Sequence, residues 1–386
     1  MSTPRILFGQ PMFGPEEADL VLQTLRSGWI GQGPLVERFE RHLEAYLGAA
    51  RVVTVSSCTA ALHLALSAAG VGPGDEVVTT AFTFVATLNA IEHTGARAVV
   101  VDIDPATLNI DAEACSAALT PRTRALLPVH FGGRPARTAD LYRLAEEHDL
   151  WVIEDAAHAV GAVVDGHRVG GSGHPRALTC FSFYPNKNLA SAEGGAIALA
   201  DADLAAALRS SRLHGLDVDA WDRYRTHAYR PSLAVRDGWK YNWTDLQAAI
   251  ALPQLEKLEG FLAVREHLAQ QYDRLLAGVR DVRVVDRGDW SLDVRHALHL
   301  YQVEVRGDPG RRDAVADSLR SRGVGAAVHY IAAHRHPWFA ARIAGSLPVS
   351  DWASDHLLTL PLHPHLGADD VELVVRELER ALVHAG

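Results

Sequence analysis

Short apolar runs that alternate with helix-like segments limit the possible folds of this chain more than any other feature. The first run, residues 51–55, is β-branched, and residues 59–69 after it place Leu62 and Leu66 on one helical face. Further strands are predicted at 76–80, 98–103, 125–129, 151–153 and 196–199, and further helices at 15–27, 84–94 and 138–148. This alternation predicts an α/β fold with a mainly parallel central sheet, covered by helices on both faces.

The pattern changes after about residue 255. A long helix is predicted over residues 244–275, and it leads into a region with fewer strands. That region is predicted to contain strands at 298–305 and 324–329 and helices at 311–322 and 369–383. We therefore predict a large domain at residues 1–255, which includes the N-terminal segment, and a smaller C-terminal α+β domain at residues 256–386.

Composition argues against several classes of function. The 386-residue chain is 48% hydrophobic, carries a formal net charge of −10 and has no basic cluster, so nucleic acid is not an expected partner. Its three cysteines, Cys58, Cys115 and Cys180, lack C-x-x-C spacing, which argues against disulfides and fits a reducing compartment. No apolar run approaches the length of a membrane span. We expect a cytoplasmic protein without a membrane partner.

The histidines do not indicate a metal site. The sequence has 20 of them, and the pairs His334 with His336 and His363 with His365 have the i, i+2 spacing that invites a metal-binding interpretation. Both pairs flank prolines and have no cysteine or group of acids nearby, which is not the pattern of a zinc site. We predict no bound metal.

Lys187 stands out within the stretch FSFYPNKNLASAEGGA at residues 181–196. An apolar run precedes it, Pro185 and Asn186 break the extended segment, and Gly194 and Gly195 lead into the next strand. A lone lysine in a turn is ordinarily a solvated surface residue. A lysine held between two buried strands can instead lose its proton and act as a nucleophile.

Asp155 gives the lysine a possible partner. It ends the run WVIED at residues 151–155, and ligands of open α/β sheets bind at the carboxyl ends of the strands. One interpretation is an ordinary helix N-cap over Ala156 and Ala157. The other is pyridoxal phosphate, with Asp155 keeping the pyridine nitrogen protonated and Lys187 forming the Schiff base.

Two further strand ends carry weaker signals. Ser57, Cys58 and Thr59 follow the first strand at the start of a helix, where they suit either plain capping or a phosphate site. Phe82 and Phe84 follow the strand at 76–80, where an aromatic ring suits either the core or stacking on a flat heterocycle. The sequence lacks GxGxxG and Walker motifs, which argues against dinucleotide and nucleoside triphosphate sites.

The lysine, the aspartate, the possible phosphate turn and the aromatic residues occur together in a known family. The chain resembles the DegT/StrS-like nucleotide-sugar aminotransferases, which are fold type I pyridoxal phosphate enzymes, over nearly its whole length. The matching stretches are SGWIGQGP, SSCTAALHLAL, AFTFVATLNAI, VDIDPATLNID, PVHFGG, EDAAHAVGA, FSFYPNKN, GWKYNWTDLQAAI, AVHY and LPLHPHL.

The resemblance implies roles for individual residues. Lys187 and Asp155 match the catalytic pair, His158 matches a residue that bonds the ring hydroxyl of the cofactor, and Phe84 matches the aromatic residue stacked on the ring. The implied phosphate contacts are Ser57, Cys58, Thr59, Ser182 and, from the neighbouring subunit, Asn242. The implied substrate contacts are Trp29, Tyr184, Lys240, His329 and Tyr330. Two positions depart from the pattern, because Tyr184 stands where family members vary and Cys58 is unusual in a phosphate turn.

The implied activity is a ping-pong transamination in a homodimer with shared active sites. L-glutamate is the expected donor, and a dTDP- or UDP-linked 4-keto-6-deoxyhexose is the expected acceptor. A 3-keto sugar and a non-catalytic cofactor-binding sensor remain alternatives. A related sugar 3-dehydratase replaces the lysine with histidine, so Lys187 argues against that reaction. An enzyme acting only on amino acids would need an arginine clamp for the second carboxylate, and the matching stretches show none.

Overall fold

The computed structural model describes residues 5–218, 220–225, 231–288, 293–343 and 345–385. Its strands are β1 (Arg51–Val55), β2 (Glu76–Thr80), β3 (Arg97–Val101), β4 (Thr123–Leu127), β5 (Trp151–Asp155), β6 (Val163–Val164), β7 (His167–Arg168), β8 (Ala177–Ser182), β9 (Gly195–Leu199), β10 (Val282–Val284), β11 (Tyr301–Val305) and β12 (Leu357–Leu360). Its helices are α1 (Pro15–Ser27), α2 (Pro34–Leu47), α3 (Cys58–Ala68), α4 (Ala86–His93), α5 (Ala112–Ala117), α6 (Thr138–Glu147), α7 (Ala202–Ser211), α8 (Ala220–Arg225), α9 (Asp245–Leu276), α10 (Arg311–Ser321), α11 (Pro337–Ala340), α12 (Pro348–His356) and α13 (Ala368–His384).

A mainly parallel sheet forms the centre of the molecule. Within the described residues it has seven strands in the order β1-β9-β8-β5-β4-β2-β3. Only β9 runs against the others, because it pairs antiparallel with both β1 and β8. The strands β2, β5, β8 and β9 are almost wholly buried, as expected for a sheet with helices on both faces. The predicted fold class is confirmed.

The predicted chemistry lies at one edge of this sheet. Asp155 is the last residue of β5, and Ser57, two residues after the end of β1, caps α3. Lys187 lies in the connection from β8 to β9. Because parallel strands end at the same edge, residues far apart in sequence meet there.

Local sequence signals place the first helix. Pro15 occupies its first turn together with Glu16 and Glu17, whose negative charges suit the positive end of the helix dipole. Gly28 ends the helix with φ +75°, a left-handed conformation that glycine adopts without strain. The prediction of residues 15–27 is confirmed.

The C-terminal part contains a second sheet with its own core. Here β10, β11 and β12 form an antiparallel sheet in that order. Helix α9 contributes to both cores, since Leu258 and Leu262 pack with the large sheet whereas Leu268 and Tyr272 pack with the second one. Ile6 also packs in the second core, although it lies near the start of the chain. The proposed division at residue 255 falls inside α9.

Two predicted strands differ from the structure. The strand expected over 298–305 begins only at Tyr301. The backbone N–H of Leu300 donates instead to the carbonyl of Gly132, which lies in a loop of the large sheet. The strand expected over 324–329 is absent from the described residues, where Val324 and Ala327 form only isolated bridges. These two residues pair with different segments, and so no continuous ladder forms. Among the described helices, none has the length and apolar character needed to cross a membrane.

Candidate active site

A cleft of about 450 Å³ opens at the carboxyl edge of the large sheet. It is lined by residues from six separate parts of the chain. They are Ser57, Cys58, Thr59, Leu62, Thr83, Phe84, Ala86, Val129, Asp155, Ala157, His158, Ser182, Tyr184, Asn186, Lys187, Glu193, Gly194, His329 and Tyr330. Most of the residues predicted for the site are therefore brought together in one cavity.

Lys187 is held in this cleft by a rigid turn. Its backbone N–H donates to the Tyr184 carbonyl at 2.9 Å, and the side chain of the adjacent Asn188 donates to the Ala297 carbonyl at 2.6 Å. Burial lowers the pKa of the Lys187 amine to about 8, although the nearby Asp155 carboxylate acts in the opposite direction. More of the neutral, nucleophilic amine is thus present at neutral pH than for a solvated lysine.

Asp155 is a buried carboxylate with two hydrogen-bond donors. Thr87 Oγ1 donates to its Oδ2 at 2.8 Å, and the Ala157 backbone N–H donates to its Oδ1 at 3.1 Å. Burial raises the pKa of Asp155, and these hydrogen bonds and the Lys187 charge oppose that rise. No ion pair to Asp155 occurs among the described residues, so a cationic N–H group of a ligand would complete its environment.

The start of α3 is a candidate anion site. The Ser57 side chain accepts from the Ala60 N–H at 3.1 Å, while the first backbone N–H groups of any helix lack partners within the helix. The turn lies close to Gly195, the first residue of β9. A Cβ at this position would clash, because it would lie only 2.7 Å from the Cys58 nitrogen. The Cys58 thiol donates to the Cys180 carbonyl at 3.6 Å. A phosphate at this turn would be contacted by backbone N–H groups. Such contacts do not depend on the side chain, so a cysteine at position 58 is compatible with them.

His158 lies between the loops of the large sheet and the C-terminal part, and it contacts both. Its Nδ1 accepts from the Gly132 N–H at 3.3 Å, and its Nε2 lies 3.1 Å from the Tyr330 hydroxyl oxygen. Burial lowers the pKa of His158 well below its usual range, and the positive charge of Lys187 adds to the effect. His329 Nδ1 is bound to Thr359 Oγ1 at 3.0 Å, and burial lowers its pKa to about 3.

Two aromatic rings stand at the mouth of the cleft. The side chains of Phe84 and Tyr184 are 57% and 49% exposed, which is unusual for large rings. Phe84 lies 5.9 Å from the Tyr330 ring, measured between ring centres. Both positions suit contact with a ligand, and ring stacking by Phe84 remains a prediction.

Three predicted contacts lie outside the cleft of their own chain. Trp29 packs 5.0 Å from the Trp221 ring and donates its indole N–H to the Gln32 carbonyl at 2.9 Å. Asn242 donates to the Trp243 carbonyl at 3.3 Å, and Lys240 is exposed. The role foreseen for Asn242 in a neighbouring subunit's site stays a prediction.

Sequence reasoning missed several residues that the structure places in or beside the site. Thr87 lies within the quoted stretch AFTFVAT, but its bond to Asp155 joins α4 to β5 and leaves no local pattern in the sequence. Asn186 and Glu193 line the cleft on either side of Lys187 and belong to the quoted lysine motif. His299 is buried with its ring centre 4.4 Å from that of His158, and no motif marked it.

The residues present fit pyridoxal phosphate. Its pyridine nitrogen, aldehyde and phosphate need an acidic partner, an amine and an anion site, respectively. Asp155, Lys187 and the start of α3 provide these three groups within one cleft. The turn held against Gly195 is the kind of close backbone cradle that a phosphate requires.

Comparisons with known proteins agree with this chemistry. The DegT/DnrJ/EryC1/StrS aminotransferase family pattern matches residues 11–379. The spore coat polysaccharide biosynthesis protein SpsC of Bacillus subtilis (strain 168) is 40% identical over 377 residues, which cover 95% of each chain.

Solved structures resemble the whole chain. The sugar aminotransferase CalS13 from Micromonospora echinospora is 32% identical with a TM-score of 0.85, over 97% of this chain and 99% of CalS13. The PMP-form of Spr1654 from Streptococcus pneumoniae is 28% identical with a TM-score of 0.91, over 99% of this chain and 100% of Spr1654. Spr1654 has also been solved in a PLP-form. The chain therefore belongs to the DegT/DnrJ/EryC1/StrS aminotransferase family, and it is an enzyme that uses pyridoxal phosphate.

Proposed function

We propose that this enzyme moves an amino group from L-glutamate to a nucleotide-linked keto-deoxysugar, namely a dTDP- or UDP-4-keto-6-deoxyhexose. The observation that carries the proposal is the meeting of Lys187, Asp155 and the start of α3 in one cleft. The family match and the sugar aminotransferase CalS13 support a sugar as the acceptor.

Each of these groups has a distinct task in holding the cofactor. Lys187 would hold it through Nζ, Asp155 would pair with its pyridine N–H, and Ser57, Thr59 and Ser182 would hold its phosphate. Pyridoxal phosphate, when bound, supplies an electron sink for the negative charge that develops at the donor's α-carbon. The bonds from Thr87 and Ala157 fix the Asp155 carboxylate in place for this pairing.

Lys187 also moves the proton. Lys187 Nζ lies in the cleft and is the group that would take the proton from the donor's α-carbon. The same nitrogen later returns a proton to complete each half of the reaction. A pKa of about 8 suits a group that must accept and release a proton near neutral pH.

The proposal includes a homodimer. Asn242, Lys240 and Trp29 do not line the cleft of their own chain, and we assign them to the neighbouring subunit's site. Asn242 would contact the phosphate there, while Trp29 and Lys240 would contact the sugar nucleotide. This assignment explains why these three residues, which the family resemblance implies are ligand contacts, lie away from the cleft of their own chain.

The absorption spectrum of the purified protein tests the function. Adding pyridoxal phosphate should give a visible band, and L-glutamate should convert it to a band at shorter wavelength. Candidate keto-sugars should then restore the first band. If L-glutamate leaves the visible band unchanged, a different donor or the sensor alternative is favoured. If no visible band forms at all, the assignment of Lys187 is wrong.

Chemical trapping locates the attachment. The sequence has three lysines, Lys187, Lys240 and Lys257. Borohydride reduction followed by peptide mass spectrometry should find the cofactor on Lys187 alone. Lys187→Ala should lose the visible band and multiple turnover. Lys257→Ala is the matched control, because Lys257 pairs with Glu16 and Glu17 and does not line the cleft.

A further inference from the structure

The turn that carries Lys187 is held to the C-terminal part of the chain by one side chain. Asn188 is 4% exposed, and its Nδ2 donates to the Ala297 carbonyl at 2.6 Å. Within the described residues, this is the only hydrogen bond that joins residues 184–190 to a distant part of the chain. The residue next to the lysine therefore fixes the turn, while Lys187 itself lines the cleft.

The Asn188 amide has a defined orientation. The Ala297 carbonyl can only accept, so the amide nitrogen must face it. The other end of the amide, Oδ1, is buried and has no hydrogen-bond partner among the described residues. A buried acceptor without a partner lowers the stability of the fold. Stability alone therefore does not account for an asparagine at this position.

The acceptor of this bond belongs to a segment that is itself fixed. Residues 296–300, here called the crossing segment, pass between two cores, because Ala297 packs with the large sheet and Leu298 with the second sheet. Leu298 has φ +48°, a left-handed conformation that leucine rarely adopts. Its N–H donates to His296 Nδ1 at 2.8 Å, and the Ala297 N–H donates to the Gly133 carbonyl at 2.8 Å. Since its surroundings hold this conformation, the crossing segment gives Asn188 a rigid anchor.

A buried arginine clamps the crossing segment to a second part of the chain. Arg265 is 3% exposed, and its Nη1 donates to the carbonyls of Leu298 and Leu362 at 3.1 and 2.7 Å. It has no acidic partner in the described part of the chain, and burial lowers its pKa to about 10. Because Arg265 lies in α9, that helix joins the crossing segment to the residues that follow β12.

We propose that Asn188 is a positioning residue for Lys187, and that its bond to the crossing segment sets where the lysine amine stands relative to Asp155. Neither Asn188 nor Ala297 is among the described residues that line the cleft, so the effect passes through the turn and not through contact with a ligand. The inference rests on the role proposed for Lys187. If the turn loosens, the amine reaches water, where it is more basic than in a buried position.

Asn188→Leu tests the bond with little change in side-chain size. It removes the donor to Ala297 and, with it, the unpartnered Oδ1. Gln271→Met is the matched control, because Gln271 also donates to one backbone carbonyl, that of Ala368 at 3.0 Å, and also has a buried oxygen without a partner among the described residues. Gln271 lies in α9, away from the cleft. Both variants should unfold at similar urea concentrations.

The titration of Lys187 in the apoprotein reports the position of its amine. The sequence has three lysines, so carbon-13 NMR after reductive methylation gives few signals, and Lys187→Ala assigns one of them. The pKa of Lys187, about 8 in the wild type, should rise by about one pH unit in Asn188→Leu and stay unchanged in Gln271→Met. The ionisable groups around the amine are the same in both variants; they are Cys58, Asp155, His158, His299 and His329.

Catalysis should change together with this titration. Because Lys187 Nζ is assigned the proton transfer in both half-reactions, Asn188→Leu should slow each of them about tenfold, while the affinity for L-glutamate stays within about twofold. Gln271→Met should keep the wild-type rates. A Lys187 pKa that remains at about 8 in Asn188→Leu, or half-reactions as fast as those of Gln271→Met, would overturn the proposal.

A second variant and the choice of readout keep the test decisive. Asn188→Ser leaves room for a water molecule, so it replaces Asn188→Leu if the leucine variant does not fold, and its Lys187 pKa should shift in the same direction. The NMR titration needs neither cofactor nor substrate. A wild-type protein that forms no visible band would therefore refute the proposed function, while the comparison between Asn188 and Gln271 variants would still decide whether Asn188 positions the lysine.

Discussion

At the scale of single residues, the site depends on an amine that burial has made less basic. The pKa of Lys187 is lowered from its ordinary 10.5 to about 8, so the neutral amine predominates above pH 8. The rate at which added pyridoxal phosphate forms the visible band in the apoprotein should therefore rise with pH and level off above about pH 8. Stopped-flow absorbance across this range checks it. A rate that continues to rise through pH 10 would indicate an ordinary solvated lysine.

Thr87 should matter for cofactor affinity although it was not foreseen. Thr87→Val keeps the shape of the side chain and removes the donor to Asp155, whose pKa that bond holds down. We expect the affinity for pyridoxal phosphate to fall by about tenfold, as one lost charge-assisted hydrogen bond implies. Thr94→Val removes a hydroxyl bond to the Ile91 carbonyl at the other end of α4. Equal cofactor affinity in the two variants would contradict a role for Thr87.

At the scale of elements, the cap of α3 has two tasks that substitution can separate. Ser57→Ala removes the bond to the Ala60 N–H and should lower the free energy of unfolding by about 1 kcal/mol. Asp201→Ala removes a similar cap from α7, where Asp201 accepts from Leu204 at 2.9 Å, and should cost a similar amount. Only Ser57→Ala should also weaken cofactor binding. Urea unfolding and cofactor titration of both variants measure the two effects.

The elements that local patterns describe were predicted well. The helix at 15–27 and the strands at 51–55 and 76–80 agree with the structure at both ends. The strand expected at 324–329 failed because Val324 and Ala327 find partners in distant segments, which hydrophobic spacing does not reveal. The bonds from Thr87 to Asp155 and from His158 to Tyr330 escaped prediction for the same reason. The family motifs indicated which residues gather in the cleft, but not how they bond to one another.

At the scale of the whole molecule, the proposed dimer predicts complementation between inactive variants. Lys187→Ala and Asn242→Ala subunits, once mixed and exchanged, should form a heterodimer with one site that has both residues intact. Activity should recover to about a quarter of the wild-type value if exchange is random, because half of the dimers gain one of two sites. Initial rates before and after exchange measure it. No recovery despite verified exchange would place Asn242 in its own chain's site.

The pairing of Ile6 with Val324 has a consequence for how the chain is made. Ile6 packs in the core of the C-terminal part, and Gly325 donates its backbone N–H to the Ile6 carbonyl at 2.8 Å. During synthesis the segment around Ile6 leaves the ribosome long before its partners exist. It therefore cannot pair with Val324 until more than 300 further residues have been translated. Such a contact of very high sequence separation is expected to be among the last to form, and it ties the N-terminal segment to the C-terminal part when folding is complete.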